Sequence, residues 1–378
     1  MNGTKNILQR CSFEELIREV LNRDEYHASA RDWVNLKSSE GVIGSVPTAS
    51  RLNSLLEIRN LNGEALSGIN TRKIKEEIQF RIFVGATILS GVPGNDGVDN
   101  RENYKDIKKP EVERNFRCVA IVTPKKYVTP DGDGYSTLKT RNYGEAYELC
   151  PLERFRDQPI LRGISFTGFL VAEDIIATAY HATPMMNVAV EDLRIVFGFR
   201  ESHPSTVITR ISNDNVYHGA KLFKNKNEDF AFIKLDRKVD GNQVIAELSD
   251  SKIPDSQPVY IIGHSFSLPL KYAADANVCN NSNIAYFTAS LDAYSRNSGS
   301  PVFNAVTHKV EGMLVNTTTD IELSLKNSCK LIKGHPGGCD KQGVLKKPEV
   351  TRVSVLIDGL CKLLKESKEE LPAYCNGT

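Results

Sequence analysis

The chain has 378 residues, 40% hydrophobic and 25% charged, with a formal net charge of +1. That length accommodates two domains, or one large β domain with an extension. The near-neutral balance gives no electrostatic ground for a nucleic acid or an anionic membrane as partner.

In chain order, the first thirty residues are densely charged (Lys5, Arg10, Glu14, Glu15, Arg18, Glu19, Arg23, Asp24, Glu25) and hold no apolar core of signal-peptide length. No run elsewhere approaches a membrane span. The expectation is a cytoplasmic protein, with export by a route lacking a cleaved signal left open. On that reading the sequons at Asn2, Asn280, Asn316 and Asn376 carry no weight. Residues 12–22 pattern as an amphipathic helix, with Ser12 as N-cap, Glu15 at the capping-box position and Leu16, Ile17, Val20 and Leu21 on one face. Weaker helical patterns cover 51–60 and 70–88. Gly91, Pro93, Gly94, Asn95, Asp96, Gly97, Asp99 and Asn100 then crowd together, so 89–111 reads as a linker. Residues 1–110 are accordingly a partly helical N-terminal extension, packed on the domain that follows or acting as a regulatory or pro-segment for it. If it inhibits, a 111–378 truncation is more active than the full chain.

From residue 118 onward, short apolar runs alternate with turn signals at a spacing that argues for an all-β barrel or sandwich. Pro130-Asp131-Gly132-Asp133-Gly134 and the aspartates of the linker have the composition of calcium loops. Both lack the closing glutamate of an EF-hand and read as turns. Near the C-terminus the period lengthens: Val353, Val355, Leu356, Leu360, Leu363 and Leu364 suit a closing helix, with Lys362, Lys365 and Lys368 in its last turns. The eight cysteines (11, 118, 150, 279, 329, 339, 361 and 375) form no CxxC pair. Without a secretory signal most read as free thiols, with Cys329 and Cys339 the best disulfide candidate in an oxidising compartment. Cys329, His335 and Cys339 supply three possible zinc ligands without a fourth at finger spacing, so no metal site is assigned.

Three stretches carry chemistry. Thr178-Ala179-Tyr180-His181 follows two strand-like runs that meet around Glu173 and Asp174. Asp229 opens the run Phe230-Ala231-Phe232-Ile233-Lys234-Leu235. Tyr294-Ser295-Arg296-Asn297-Ser298-Gly299-Ser300-Pro301-Val302-Phe303 places a serine in a tight polar turn before a strand. A serine hydroxyl is a poor nucleophile until a base removes its proton and something stabilises the resulting oxyanion. Histidine can be that base, and a carboxylate can hold its tautomer. His203, His218, His264, His308 and His335 have no comparable context. Asp214, in Asn213-Asp214-Asn215, is a rival acid that reads as a turn residue.

In the order His181, Asp229, Ser298, these blocks resemble the signatures of trypsin-like serine proteases. The Asn-Ser-Gly-Ser-Pro-Val-Phe form, with Cys150-Pro151-Leu152-Glu153-Arg154-Phe155 and Gln158-Pro159 upstream, is closest in style to bacterial V8-like endopeptidases. The resemblance covers roughly 112–366. It implies two six-stranded antiparallel β-barrels and a C-terminal helix within 111–370, a serine endopeptidase without cofactor, and protein or peptide substrates. His181, Asp229 and Ser298 would be its catalytic residues, and the backbone N–H groups of Arg296 and Ser298 its oxyanion hole. Arg296 departs from the pattern, because the family has glycine there. A hole collapsed by that residue would make the protein a binding or scaffold protein of protease fold instead. An esterase using the same triad is a third reading. By register, Asp292 lies at the base of the primary specificity pocket, where it favours Lys or Arg side chains; alternatively it faces away or caps a turn. The histidine that confers glutamate preference is replaced by Leu314, and the strand 310–316, with Leu314 and Asn316, is expected to bind substrate backbone.

Overall fold

Apolar alternation of period two produces strands that bury at least one face, and between residues 119 and 352 twelve such strands close two barrels. The computed structural model describes Leu16, Glu19 and residues 99–149, 153–202, 206–317, 322–324, 330–332, 339 and 347–375. Leu16 and Glu19 are helical. The rest of that expected helix, the patterns at 51–60 and 70–88, Cys329 and His335 lie outside the described residues.

Two compact units are present: one of Met1–Asp99, Asn142–Asp157 and Ile321–Gly337, the other of Asn100–Arg141, Gln158–Asp320 and Gly338–Thr378. In the first, a short helix Tyr143–Tyr147 is capped by Asn142, whose side chain accepts the Glu145 N–H. The strands Glu322–Ser324 and Lys330–Ile332 pair antiparallel.

The second unit begins with strand β1 (Arg101–Asn103) and helix α1 (Pro110–Phe116). The first barrel comprises β2 (Val119–Pro124), β3 (Phe166–Ala172), β4 (Ile175–Ala179), β5 (Leu193–Phe197), β6 (Val216–Asn225) and β7 (Phe230–Leu235), closed in the order β6-β7-β4-β3-β2-β5. The second comprises β8 (Pro258–Gly263), β9 (Lys271–Asn280), β10 (Tyr286–Ala289), β11 (Pro301–Asn304), β12 (Val310–Asn316) and β13 (Glu349–Arg352). Its order is β9-β8-β11-β12-β13-β10; β10 returns to β9, and β1 adds to the outer edge of β9. The stretch read from sequence as a linker up to residue 111 therefore carries a strand of this unit, paired as Arg101↔Ala273, Glu102↔Tyr272 and Asn103↔Lys271. A cut at residue 110 removes it.

Alternation sorts the cores. On β8, Val259 and Ile261 enter the cluster inside the second barrel with Val302, Leu314 and Val350. Tyr260 and Ile262 enter the larger cluster shared with the first barrel and the closing helix α2 (Val353–Glu366). Helix α2 buries Val353, Leu356, Leu360 and Leu364, one stripe at 3–4 residue spacing. Gly359 allows its close approach: a Cβ there would lie 2.2 Å from Cζ of Phe230.

The reading of the cysteines is corrected. Cys279 bonds Cys339, and Cys361 bonds Cys375. Cys339 thus pairs with a residue on β9 brought close by the barrel, which no sequence spacing reveals. Among the described residues Cys118 is the free thiol; full burial pushes its pKa up to about 12, which makes it an inert packing residue. The Pro130–Gly134 loop is a hairpin turn between strands Val128–Gly132 and Tyr135–Leu138. Its Asp131 carboxylate accepts hydrogen bonds from Thr137 and Arg210, which hold it below the ordinary carboxylate range.

Among the described residues no helix is long and apolar enough to cross a membrane.

Candidate active site

Antiparallel pairing of β4 with β7 places Ala179 opposite Phe230, so the residues just past β4 and just before β7 emerge together. The ladder runs one step further, with the Tyr180 N–H donating to the Asp229 carbonyl at 3.1 Å. Asp229 then takes a left-handed conformation (φ 52°), uncommon outside glycine, asparagine and aspartate, and this turns its carboxylate across to His181. One oxygen accepts the His181 backbone N–H at 2.8 Å and the other lies 2.7 Å from Nδ1. The Nε2 atom lies 3.0 Å from Ser298 Oγ. The imidazole also meets the edge of the Phe166 ring, centroids 6.0 Å apart.

Ser298 sits in the turn leading into β11. The Asn297 N–H donates to the Tyr294 carbonyl at 3.0 Å and the Ser300 N–H to the Asn297 carbonyl at 2.9 Å. Gly299 has φ 90°, and a Cβ there would stand 2.0 Å from the Thr167 carbonyl and 2.6 Å from Thr178 Oγ1. Gly299→Ala combines a backbone conformation hostile to L-residues with a clash against another strand, so it should cost about 2–4 kcal/mol. A fall in melting temperature with loss of yield checks this; unchanged melting would contradict it.

Thr167, on β3 of the first barrel, ties the turn down. Its N–H donates to the Ser298 carbonyl at 3.2 Å and its hydroxyl to the Arg296 carbonyl at 3.3 Å. Its own carbonyl accepts from Thr178 Oγ1 at 2.8 Å, and its hydroxyl accepts the His264 N–H at 3.0 Å. Sequence reasoning did not single it out. The available signal was a hydroxyl inside the otherwise apolar run Phe166–Ala172, since a fully buried polar group implies hydrogen-bond partners.

Arg296 has φ 75°, the region glycine adopts freely. The preceding carbonyl, Ser295, accepts the Phe266 N–H at 2.7 Å. A planar trans peptide points its carbonyl and its N–H in opposite directions, so the Arg296 N–H faces away from Phe266. Its side chain reaches over the Phe166 ring, 5.5 Å from the centroid.

The remaining sequence candidates fall as follows. Asp292 is buried and its Oδ2 accepts the Asn100 N–H at 2.9 Å. Leu314 is not available for substrate pairing: its carbonyl accepts from the Gly299 N–H at 2.8 Å, its N–H donates to Ser300 at 2.9 Å, and its side chain is core. Val315 and Asn316 are half-buried at the end of β12. Asn316 donates to Glu349 at 3.3 Å. His264 is fully buried, and desolvation lowers its pKa to about 3. It is therefore neutral, and its Nδ1–H donates to the Leu268 carbonyl at 2.9 Å. Among the described residues no cluster of His, Cys, Asp and Glu could hold a metal ion.

Residues 166–313, which include His181, Asp229 and Ser298, match the family model of the trypsin-like peptidase domain. No curated protein matches the sequence. Among solved structures, the chain is similar to Rv3671c from M. tuberculosis H37Rv, crystallised as a Ser→Ala mutant in an inactive form. The two are 9% identical over 70% of this chain and 95% of that chain, with a TM-score of 0.39.

Proposed function

We propose that the protein is a serine endopeptidase that cleaves peptide bonds through an acyl-enzyme, and the observation carrying this is the continuous chain from Asp229 through His181 to Ser298 at 2.7 and 3.0 Å. In the neutral imidazole, Nδ1–H donates to Asp229, leaving the Nε2 lone pair to accept the Ser298 hydroxyl proton. Ser298 Oγ attacks the substrate carbonyl as its proton moves to Nε2. The tetrahedral oxyanion is met by the N–H groups of Arg296 and Ser298. The imidazolium, stabilised by Asp229, then returns the proton to the leaving amine. Water, activated by the same nitrogen, hydrolyses the ester and restores the serine.

The dihedral of Arg296 supports this reading over that of a disabled scaffold. A non-glycine residue held at positive φ costs of order 1–3 kcal/mol and persists where the surroundings over-determine it. Here the surroundings are Thr167 and Phe266, and their effect is to keep the Ser295 carbonyl out of the space an oxyanion would fill. The V8-like style extends to the motif and not to glutamate preference, because Leu314 is a core residue. A basic side chain at the scissile position is the preference an Asp292 carboxylate at the base of the pocket would confer.

A fluorophosphonate probe reacts only with an activated serine. Incubated with the full chain, it should form one adduct that maps by mass to the peptide containing Ser298 and is absent from Ser298→Ala. A folded full chain that forms no adduct, or an adduct that survives in Ser298→Ala, would overturn the reading.

A further inference from the structure

Arg101 is a guanidinium with 1% of its surface exposed, on a three-residue edge strand that precedes every recognisable motif. Removing a charge from water is costly unless it is paired and hydrogen-bonded, so what surrounds it is informative. Its Nη1 donates to Ser265 Oγ at 2.9 Å, and its Cζ stands 4.3 Å from the centroid of the Tyr294 ring and 5.6 Å from that of Phe266. The two rings lie 5.5 Å apart. The guanidinium therefore touches both Ser265-Phe266 and Tyr294, and these are joined to one another by the Phe266 N–H and the Ser295 carbonyl. That bond sets which way the Ser295–Arg296 peptide faces.

We infer that Arg101 is a positioning residue for the oxyanion-binding turn: by clamping Ser265-Phe266 against Tyr294, it keeps the Ser295 carbonyl on Phe266 and the Arg296 N–H turned toward the substrate. This rests on the function proposed above. The clamp is held from both sides. The preceding residue, Asn100, donates its N–H to Asp292, and Lys105 pairs with buried Glu201 at 3.3 Å. Asn103, on the same strand, accepts from Gln158 at 3.0 Å, and Gln158 in turn donates to Glu201 at 2.8 Å and accepts from Lys271 at 2.8 Å. Residues 100–105 thus form a strap on the second barrel that carries Arg101 to the turn. The strap makes part of the segment ahead of residue 111 a contributor to catalysis, a role the reading of residues 1–110 as a packed or regulatory extension did not include.

Removing Arg101 frees the Ser295–Arg296 peptide to rotate, and a rotated peptide places a carbonyl where donors are needed. Binding contacts elsewhere are untouched, so the loss belongs in kcat and not in KM. The test uses the full chain, with Arg101→Ala, Arg101→Lys and the milder Ser265→Ala, on a fluorogenic peptide and a fluorophosphonate. Expected is a kcat roughly ten- to a hundredfold lower in Arg101→Ala with KM little changed, partial restoration by added guanidinium ion, and a smaller loss in the same direction for Ser265→Ala. Arg101→Lys keeps the charge without the planar fork and should fall between. If the wild-type chain labels at Ser298 while Arg101→Ala and Ser265→Ala turn over at its rate, or lose activity only in proportion to their unfolded fraction, the positioning role is overturned and the peptidase reading stands. If the wild-type chain neither labels nor cleaves, both fall together.

Discussion

Ser298→Ala should lower kcat by roughly ten-thousand- to a millionfold, His181→Ala should do nearly the same, and the double variant should be no worse than either. The reason is that the hydroxyl and the imidazole act as one unit. Without Nε2 at 3.0 Å, the hydroxyl keeps its proton and is a weak nucleophile; without the hydroxyl, Nε2 has nothing to activate except water. Whatever turnover persists comes from the donors of the turn and from substrate binding, which neither substitution touches. The measurement is steady-state cleavage of a fluorogenic peptide by full-length variants, with thermal melts to establish that each is folded. Losses that multiply in the double variant would mean two independent contributions and would be incompatible with a proton passing between these atoms. Full activity in Ser298→Ala would place the chemistry elsewhere.

For Asp229→Asn we expect a loss of roughly ten-thousandfold in kcat near neutral pH, with the fold intact. Asp229 makes two hydrogen bonds to His181, one from the backbone N–H at 2.8 Å and one with Nδ1 at 2.7 Å. Asparagine can still accept the backbone N–H through its carbonyl oxygen. Its amide nitrogen then faces Nδ1 as a donor, so Nδ1 must accept and the ring proton moves to Nε2. The nitrogen that should take the serine proton already holds one. Isosteric substitution thus preserves packing and inverts the tautomer, which separates an electrostatic role from a structural one. The readouts are kcat, the fluorophosphonate reaction rate and the melting temperature. A variant that loses little activity would show that the carboxylate does not set the imidazole; one that melts well below wild type would show that it mainly supports the fold.

The fold and the site were legible from different kinds of signal. Runs such as Phe166–Ala172 and Phe230–Leu235 announce strands because short, mostly apolar stretches bounded by turn signals suit buried β-structure, and they are strands. Asp229, His181 and Ser298 stand out because the three blocks that carry them, each beside a strand-like run, occur together in the order of a known family; strand-end position alone would not have singled them out. β1 was not legible. Three residues, Arg101-Glu102-Asn103, carry no apolar alternation, and the strand exists because β9 offers an open edge for it. Thr167 and Arg101 were missed for a related reason: His264, which donates to the Thr167 hydroxyl, lies 97 residues away in sequence, and Ser265, which accepts from Arg101, lies 164 away; the only local signal was the hydroxyl of Thr167 inside an apolar run.

Local pattern by itself determined that this chain is built mainly of short strands and ends in a helix, because periodicity is a property of neighbouring residues; the two barrels and the grouping of His181, Asp229 and Ser298 were expected only from the resemblance of three ordered sequence blocks to a known family. Only the tertiary structure decided that Cys279 meets Cys339, that Leu314 is core and not a substrate edge, and that Arg296 adopts a glycine-like backbone. Each of these depends on strands far apart in the chain being brought into register. That register is set by the burial of whole barrel faces and not by any residue's own preference.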